Sequence, residues 1–227
     1  MNNPAGHSLI FTVVALLLTG CAETAPDRAQ SCCETNTTAP TVSLDSPTES
    51  RYASRWLLPE ERVTLQPNCS FNDQHGREMK LSELRGSPVA LSFVYTRCTN
   101  ERKCPAVAYA LGRLETALDS ASVKPRPVIA LITYDPEFDT PEVLSRFAEA
   151  HGIRPGPTAV LLRPDPAAKQ NLFHELKVGV NYSGDTVNLH GIQLILLDKS
   201  GRHVRTYHSI LWDNDAVLKD LEILAAE

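Results

Sequence analysis

The chain has 227 residues, a formal net charge of −5 and an apolar content of 42%. Those values support one globular domain with a packed core, plus a further segment. The mild acidity excludes the basic footprint of a nucleic-acid binder, and no apolar run reaches the length of a bilayer span.

The further segment is N-terminal. Leu9–Leu18 (LIFTVVALLL) is an apolar run broken only by Thr12, with the length of a signal-peptide h-region. It ends in Leu18-Thr19-Gly20-Cys21, small residues before a cysteine, which resembles a bacterial lipoprotein cleavage box. Residues 1–20 are therefore expected to be a signal peptide and Cys21 the lipidated residue. No Lys or Arg precedes Arg28, so the usual charged n-region is missing; the competing reading of the run is a short buried helix. Residues 21–54 are rich in Thr, Ser, Pro, Ala and acids, the composition of a flexible tether. Roughly 30 such residues reach about 30 Å on average. The expected location is extracytoplasmic, on a membrane-anchored lipoprotein, where disulfides are permitted. Six cysteines are present. If Cys21 carries lipid, at least one of Cys32, Cys33, Cys69, Cys98 and Cys104 is left free or pairs outside the chain.

The folded domain is expected over residues 55–227. A lead-in segment packs Trp56 and Leu57. Cys69–Phe71 and Arg77–Leu81 flank a turn ending in Gly76, an N-terminal β-hairpin. Strands follow at Val89–Tyr95, Pro127–Tyr134, Thr158–Leu162 and Ile192–Leu197. Helices are expected at Pro105–Leu118, after the N-cap Thr140, at Pro166–Lys177 and at Asn214–Ala225. Asp198–Gly201 turns the chain into a last strand, Arg202–Tyr207. Strand–helix repeats imply a parallel core, and the terminal hairpin adds antiparallel strands. The fold class is α/β, a thioredoxin-like mixed sheet flanked by helices.

Chemistry concentrates in Phe93–Pro105 (FVYTRCTNERKCP), where a buried strand delivers Cys98 and Cys104 to a helix start. A helix N-terminus favours thiolate, and Arg97, Arg102 and Lys103 are expected to depress the thiol pKa values further. Thiolates attack disulfides and bind soft metals, and a structural disulfide is the third reading of the pair. In a thioredoxin-like sheet, the loop before strand 192–197 faces the cysteine loop, and His190 lies in it. Two sulfurs and one imidazole suit copper, Cu(I) in particular. Asp135 carries two readings, a carboxylate near the metal or turn chemistry; Asp139 reads as turn and helix-start chemistry.

Three blocks carry a family resemblance: Phe93-Val-Tyr-Thr-Arg-Cys98, Tyr134-Asp-Pro-Glu-Phe-Asp-Thr-Pro141, and His190 with Asp198-Lys-Ser-Gly-Arg202. From about Asn68 onward the chain resembles the SCO/SenC family of copper-handling assembly factors. The resemblance implies a thioredoxin-like fold, copper held by Cys98, Cys104 and His190, and a role in metallating the copper centre of a cytochrome c oxidase subunit. It also implies an alternative: a thiol–disulfide oxidoreductase in which Cys98 attacks, Cys104 resolves and the two form a disulfide. The chain departs from the family's C-P-x-x-C-P loop, since five residues, Thr99–Lys103, separate the cysteines. Leu189 stands where the family often has Asp. The longer loop adds only tenths of a kcal/mol in closure entropy, about what lengthening a loop costs, but holds the sulfurs less firmly.

Overall fold

The computed structural model describes residues 50–65 and 69–227. The expected signal segment, Cys21, and the tether cysteines Cys32 and Cys33 lie outside the described residues. The first elements are the expected hairpin, β1 (Ser70–Asn72) and β2 (Glu78–Lys80), paired antiparallel with Phe71 opposite Met79. Asp73 closes the turn by accepting from the backbone N–H groups of His75 and Arg77 at 2.8 and 2.9 Å. Gly76 there has φ +75°, a conformation that glycine adopts without a Cβ penalty.

A 3₁₀ turn, Leu81–Leu84, leads to β3 (Val89–Val94). Then come α1 (Cys104–Ala121), β4 (Val128–Thr133), α2 (Pro141–Ala150), β5 (Ala159–Pro164) and α3 (Pro166–Glu175). Every residue of β3 and β4 is buried, as continuous apolar runs require when both faces of a sheet are covered. Helix α2 starts as expected, with the Thr140 hydroxyl accepting from the Val143 N–H and Pro141 in the first turn. Asp165 caps α3 in the same way, accepting from the Ala168 N–H at 2.6 Å.

Residues 178–189 carry no expected element, and the structure places a second hairpin there: β6 (Val180–Ser183) and β7 (Thr186–His190). His190 is therefore the last residue of a strand and not part of a loop. β8 (Leu194–Leu197), β9 (His203–Tyr207) and α4 (Asn214–Ala226) complete the chain.

Seven strands form one sheet in the order β2-β1-β5-β4-β3-β8-β9, and β6–β7 is a separate two-stranded sheet. β3, β4 and β5 are mutually parallel, while β8, β9, β1 and β2 pair antiparallel at the two sides. This is the expected thioredoxin-like mixed sheet. Helix α1 lies against α4, where Asn214 Nδ2 donates to the Ala110 carbonyl at 2.8 Å. It also passes so close to the end of α2 that a Cβ on Gly112 would stand 2.6 Å from the His151 carbonyl oxygen.

Residues 50–57 run along β9. The Ser54 N–H donates to the Thr206 carbonyl at 2.7 Å, and the Leu57 N–H to that of Val204 at 3.0 Å. Among the described residues no helix is long and apolar enough to cross a membrane.

Candidate metal centre

Strand β3 runs out at Val94 and hands the chain to two consecutive turns. The Cys98 N–H donates to the Tyr95 carbonyl at 3.0 Å, and the Lys103 N–H to the Asn100 carbonyl at 2.9 Å. The Asn100 side-chain oxygen accepts from the Arg102 N–H at 3.0 Å, the local bond that suits Asn to turns. The five intervening residues are thus folded and not slack. Helix α1 begins at Cys104, one residue before the expected Pro105, so Cys104 sits in the first helical turn.

The three expected ligand residues converge. His190 Nε2 lies 3.6 Å from Cys98 Sγ and 3.6 Å from Cys104 Sγ. One ligand atom from each residue falls within 4.8 Å of the others, and no second cluster of this kind occurs among the described residues. Both cysteines are free thiols. Their exposure differs: Cys104 is 1% exposed, whereas Cys98 is only partly buried. Cys104 Sγ also accepts from the Tyr95 N–H at 3.2 Å.

The imidazole is prepared as a donor of electrons. Its Nδ1 is 3.1 Å from the Gly191 carbonyl oxygen. A carbonyl only accepts, so the bond assigns the proton to Nδ1 and leaves the Nε2 lone pair facing the sulfurs. Burial holds the His190 pKa below its ordinary value, and the Lys103 charge pushes the same way, against the Gly191 bond. The Tyr134 ring tilts against the imidazole at 5.3 Å, and its hydroxyl donates to the Gly191 carbonyl at 3.3 Å.

The thiol pKa expectation fails for Cys104. Burial pushes this thiol well up, Cys98 adds to the effect, and the Tyr95 N–H and Lys103 oppose it without prevailing. Desolvation outweighs the helix end and the neighbouring cation because the sulfur has almost no contact with water. Arg97, expected to act on the thiols, is engaged elsewhere. Its Nε and Nη2 donate to Asp135 Oδ2 at 3.0 and 2.5 Å. Asp135 is therefore the ion-pair partner of the residue before Cys98, and it lies outside the ligand cluster.

Asp139 does more than start a helix. It is fully buried and accepts from the hydroxyls of Thr96 and Thr133. Burial pushes its carboxyl above the ordinary range, while the two hydroxyls oppose the shift. It thereby ties the start of the cysteine loop to the end of β4. Sequence reasoning missed these links and the Tyr134 contact. The available signal was Tyr134–Pro141, which supplies Tyr134, Asp135 and Asp139 together. Cys69 is buried at a distance from this group, and burial raises its thiol pKa too.

Two soft sulfurs and a neutral imidazole at this range can hold a soft metal ion. The same two sulfurs can cycle between dithiol and disulfide.

Comparison with known proteins agrees with this geometry. The SCO1/SenC family model matches residues 59–226. A SCO2-like protein of Rickettsia prowazekii (strain Madrid E) is 25% identical over 173 residues, covering 74% of this chain and 80% of that protein. Among solved structures, Bradyrhizobium japonicum ScoI, described with copper bound, superposes with a TM-score of 0.58 at 22% identity. It covers 70% of this chain and 98% of its own. BsSco, described as having a disulfide switch and as a member of the Sco family of cytochrome c oxidase assembly proteins, gives 0.61 at 20% identity, covering 73% and 96%. With the family match running through the sheet, both loop cysteines and the histidine, this chain belongs to the SCO1/SenC family.

Proposed function

We propose that this chain is a membrane-tethered carrier that holds one copper ion between Cys98, Cys104 and His190 and passes it to the copper site of a cytochrome c oxidase subunit. The observation that carries the reading is the convergence of the two sulfurs and Nε2 within 4.8 Å. Family membership supports it, as do the copper described for Bradyrhizobium japonicum ScoI and the assembly role described for the family of BsSco. The sequence supports the tether and an extracytoplasmic location through an h-region, a cleavage-box pattern at Cys21 and a polar stretch before the domain.

The residues divide the work. Cys104 is buried and its thiol protonated before loading, so copper binding there releases a proton. His190 is already neutral, with Nε2 free. Cys98 is the ligand open to solvent, so exchange with an incoming acceptor thiolate begins at Cys98 and ends at Cys104. The test is transfer. Copper-loaded protein is mixed with the metal-free soluble copper domain of an oxidase subunit, and the two are separated for metal analysis. The reading expects copper to move to the acceptor from the native chain. Copper that stays on the carrier, or a carrier that never loads, would sink it.

The second reading, a thiol–disulfide oxidoreductase, draws on the same asymmetry of one open and one buried sulfur. Cys98 thiolate would attack a partner disulfide, expelling one partner sulfur as thiol. Cys104 would then displace the second, leaving a Cys98–Cys104 disulfide and two electrons on the partner. The raised Cys104 pKa makes that second displacement slow, which favours the copper reading. A measured Cys98–Cys104 potential well below that of the acceptor's cysteines would reverse the preference.

A further inference from the structure

The histidine is carried on a hairpin that is not hydrogen-bonded into the main sheet. β6–β7 is therefore positioned by a few side-chain and loop contacts. At its base, the Gly191 N–H donates to the Gly179 carbonyl at 2.6 Å. In its middle, the Tyr182 hydroxyl donates to the Tyr134 carbonyl at 2.7 Å. Both bonds leave the cysteine loop untouched.

Arg97 reaches the tip. Its Nη2 donates to the Asp185 carbonyl at 3.1 Å while Nε and Nη2 hold Asp135. The guanidinium also stacks over the rings of Phe138 and Tyr95, 4.3 and 5.6 Å from their centroids. Asp135 itself is buried just past the end of β4, so the guanidinium has a fixed anchor. Arg97 directly precedes Cys98. One side chain therefore joins three segments: the cysteine loop, the end of β4 and the tip of the histidine hairpin. Among the described residues it makes the one hydrogen bond from residues 95–104 to the hairpin, besides the sulfur–imidazole contacts of the site itself.

We propose that Arg97 is the positioning residue that clasps the His190 hairpin to the Cys98 loop, and so keeps the imidazole in the coordination shell. The inference rests on the copper reading and names what holds that site together. It also accounts for a site that keeps its shape with Thr99–Arg102 exposed between its two sulfurs. Without the clasp, a copper ion would keep its two sulfurs and lose its nitrogen for part of the time.

Two substitutions separate the clasp from ordinary stability. Arg97→Met removes the bonds to Asp135 and to the Asp185 carbonyl. Arg97→Lys leaves a charge for Asp135, but a single ammonium lacks the planar fork that spans Asp135 and Asp185 together. The reduced native domain, Arg97→Met, Arg97→Lys and His190→Ala are each titrated with Cu(I) against a chromophoric chelator. The Cu(II) forms are examined by electron paramagnetic resonance for nitrogen hyperfine coupling, and urea midpoints report the fold. The clasp predicts that Arg97→Lys has a nearly native midpoint, copper affinity reduced roughly tenfold to a hundredfold, the range for lost outer-shell partners, and weakened nitrogen coupling. Arg97→Met should show the same copper signature with a lower midpoint. If His190→Ala loses the nitrogen signal while Arg97→Lys keeps native affinity and full coupling, the clasp is overturned and the copper reading stands. If His190→Ala binds copper like the native chain, the copper reading fails and the clasp falls with it.

Discussion

The backbone N–H of Tyr95 donates to the sulfur of Cys104 at 3.2 Å. That bond joins the residue just after β3 to the first residue of α1, and it holds the second thiol in a dry corner beneath the loop. Cys98, six residues earlier, faces solvent in part. The two thiols of the metal-free protein should therefore differ sharply in access. Brief treatment with iodoacetamide at about neutral pH, read by peptide mass mapping, should modify Cys98 well before Cys104. Equal labelling would mean that the loop opens freely.

Copper binding should strengthen as pH rises. Cys104 is held protonated by burial, so loading must expel its proton, and a reaction that releases a proton is favoured by higher pH. His190 adds little to this dependence near neutrality, because its pKa is already depressed. Competition titrations across about pH 6 to 8 should show a steady rise in apparent Cu(I) affinity, after correction for the chelator. A flat profile would mean that Cys104 is ionised before copper arrives.

Stability of the metal-free domain should fall on the acid side of neutrality. Burial lowers the pKa values of His190 and His203 below the ordinary 6.5. A histidine depressed in the folded state binds fewer protons there than when unfolded, so its contribution is complete above the unfolded value. It is lost as pH falls from 6.5 through the lower, folded value. His203 lies away from the metal centre, with Nε2 2.8 Å from the Thr206 hydroxyl. Urea midpoints should drop between about pH 7.5 and 5.5, and His203→Gln should show the smaller drop. An equal drop in the variant would remove His203 from the account.

Asp139 should matter to the fold and the site together. Its carboxylate receives the hydroxyls of Thr96 and Thr133 in a fully buried position. Asp139→Ala leaves both hydroxyls without that acceptor, at a cost of about 1–3 kcal/mol for a buried polar group that loses its partner. Asp139→Asn keeps an acceptor oxygen in nearly the same shape and should cost less, since burial already disfavours the charged form. Urea denaturation of both variants checks the ranking; a reversed order would mean that the charge itself is required.

Why some of this was readable from the residues and some was not follows from the range of the interactions. β3, β4 and β8 were legible because burial on both faces demands predominantly apolar runs such as VALSFV, VIALIT and LILL. The meeting of Cys98, Cys104 and His190 was legible because β3, which the cysteine loop follows, and β8, which His190 precedes, are neighbours in the sheet; the separate hairpin that carries His190 was not. The β6–β7 hairpin escaped because it buries little: Val187 and His190 are its only buried residues, and Leu189 is exposed. Its turn did leave a mark, the Ser183-Gly184-Asp185 stretch with Gly184 at φ +59°. The Arg97–Asp135 pair joins positions 38 residues apart, and charge complementarity over that separation has no local pattern. Cys104 was misjudged because helix-end and cation effects can be seen in a sequence, whereas the depth of a sulfur cannot.

Helix α1 should tolerate no added bulk where it crosses the end of α2. At Gly112 a methyl group would lie 2.6 Å from the His151 carbonyl oxygen and 3.0 Å from the Gly152 carbonyl carbon. Those neighbours are backbone and cannot swing aside. Gly112→Ala gains helix propensity of about 1 kcal/mol at most, against overpacking of about 1–3 kcal/mol. A net loss of stability is expected, measured by thermal or urea unfolding. A stabilised variant would mean that α1 and the α2 terminus separate easily.

The central claim is that Cys98, Cys104 and His190 act as one copper site. Its most direct test is anaerobic Cu(I) titration of the reduced domain, residues 51–227, beside the His190→Ala variant. The account predicts one equivalent bound through two sulfurs and one nitrogen by X-ray absorption, with the nitrogen lost and the affinity reduced in the variant. Binding that ignores His190, together with a Cys98–Cys104 disulfide that forms readily in air, would contradict it and leave a thiol-redox centre in its place.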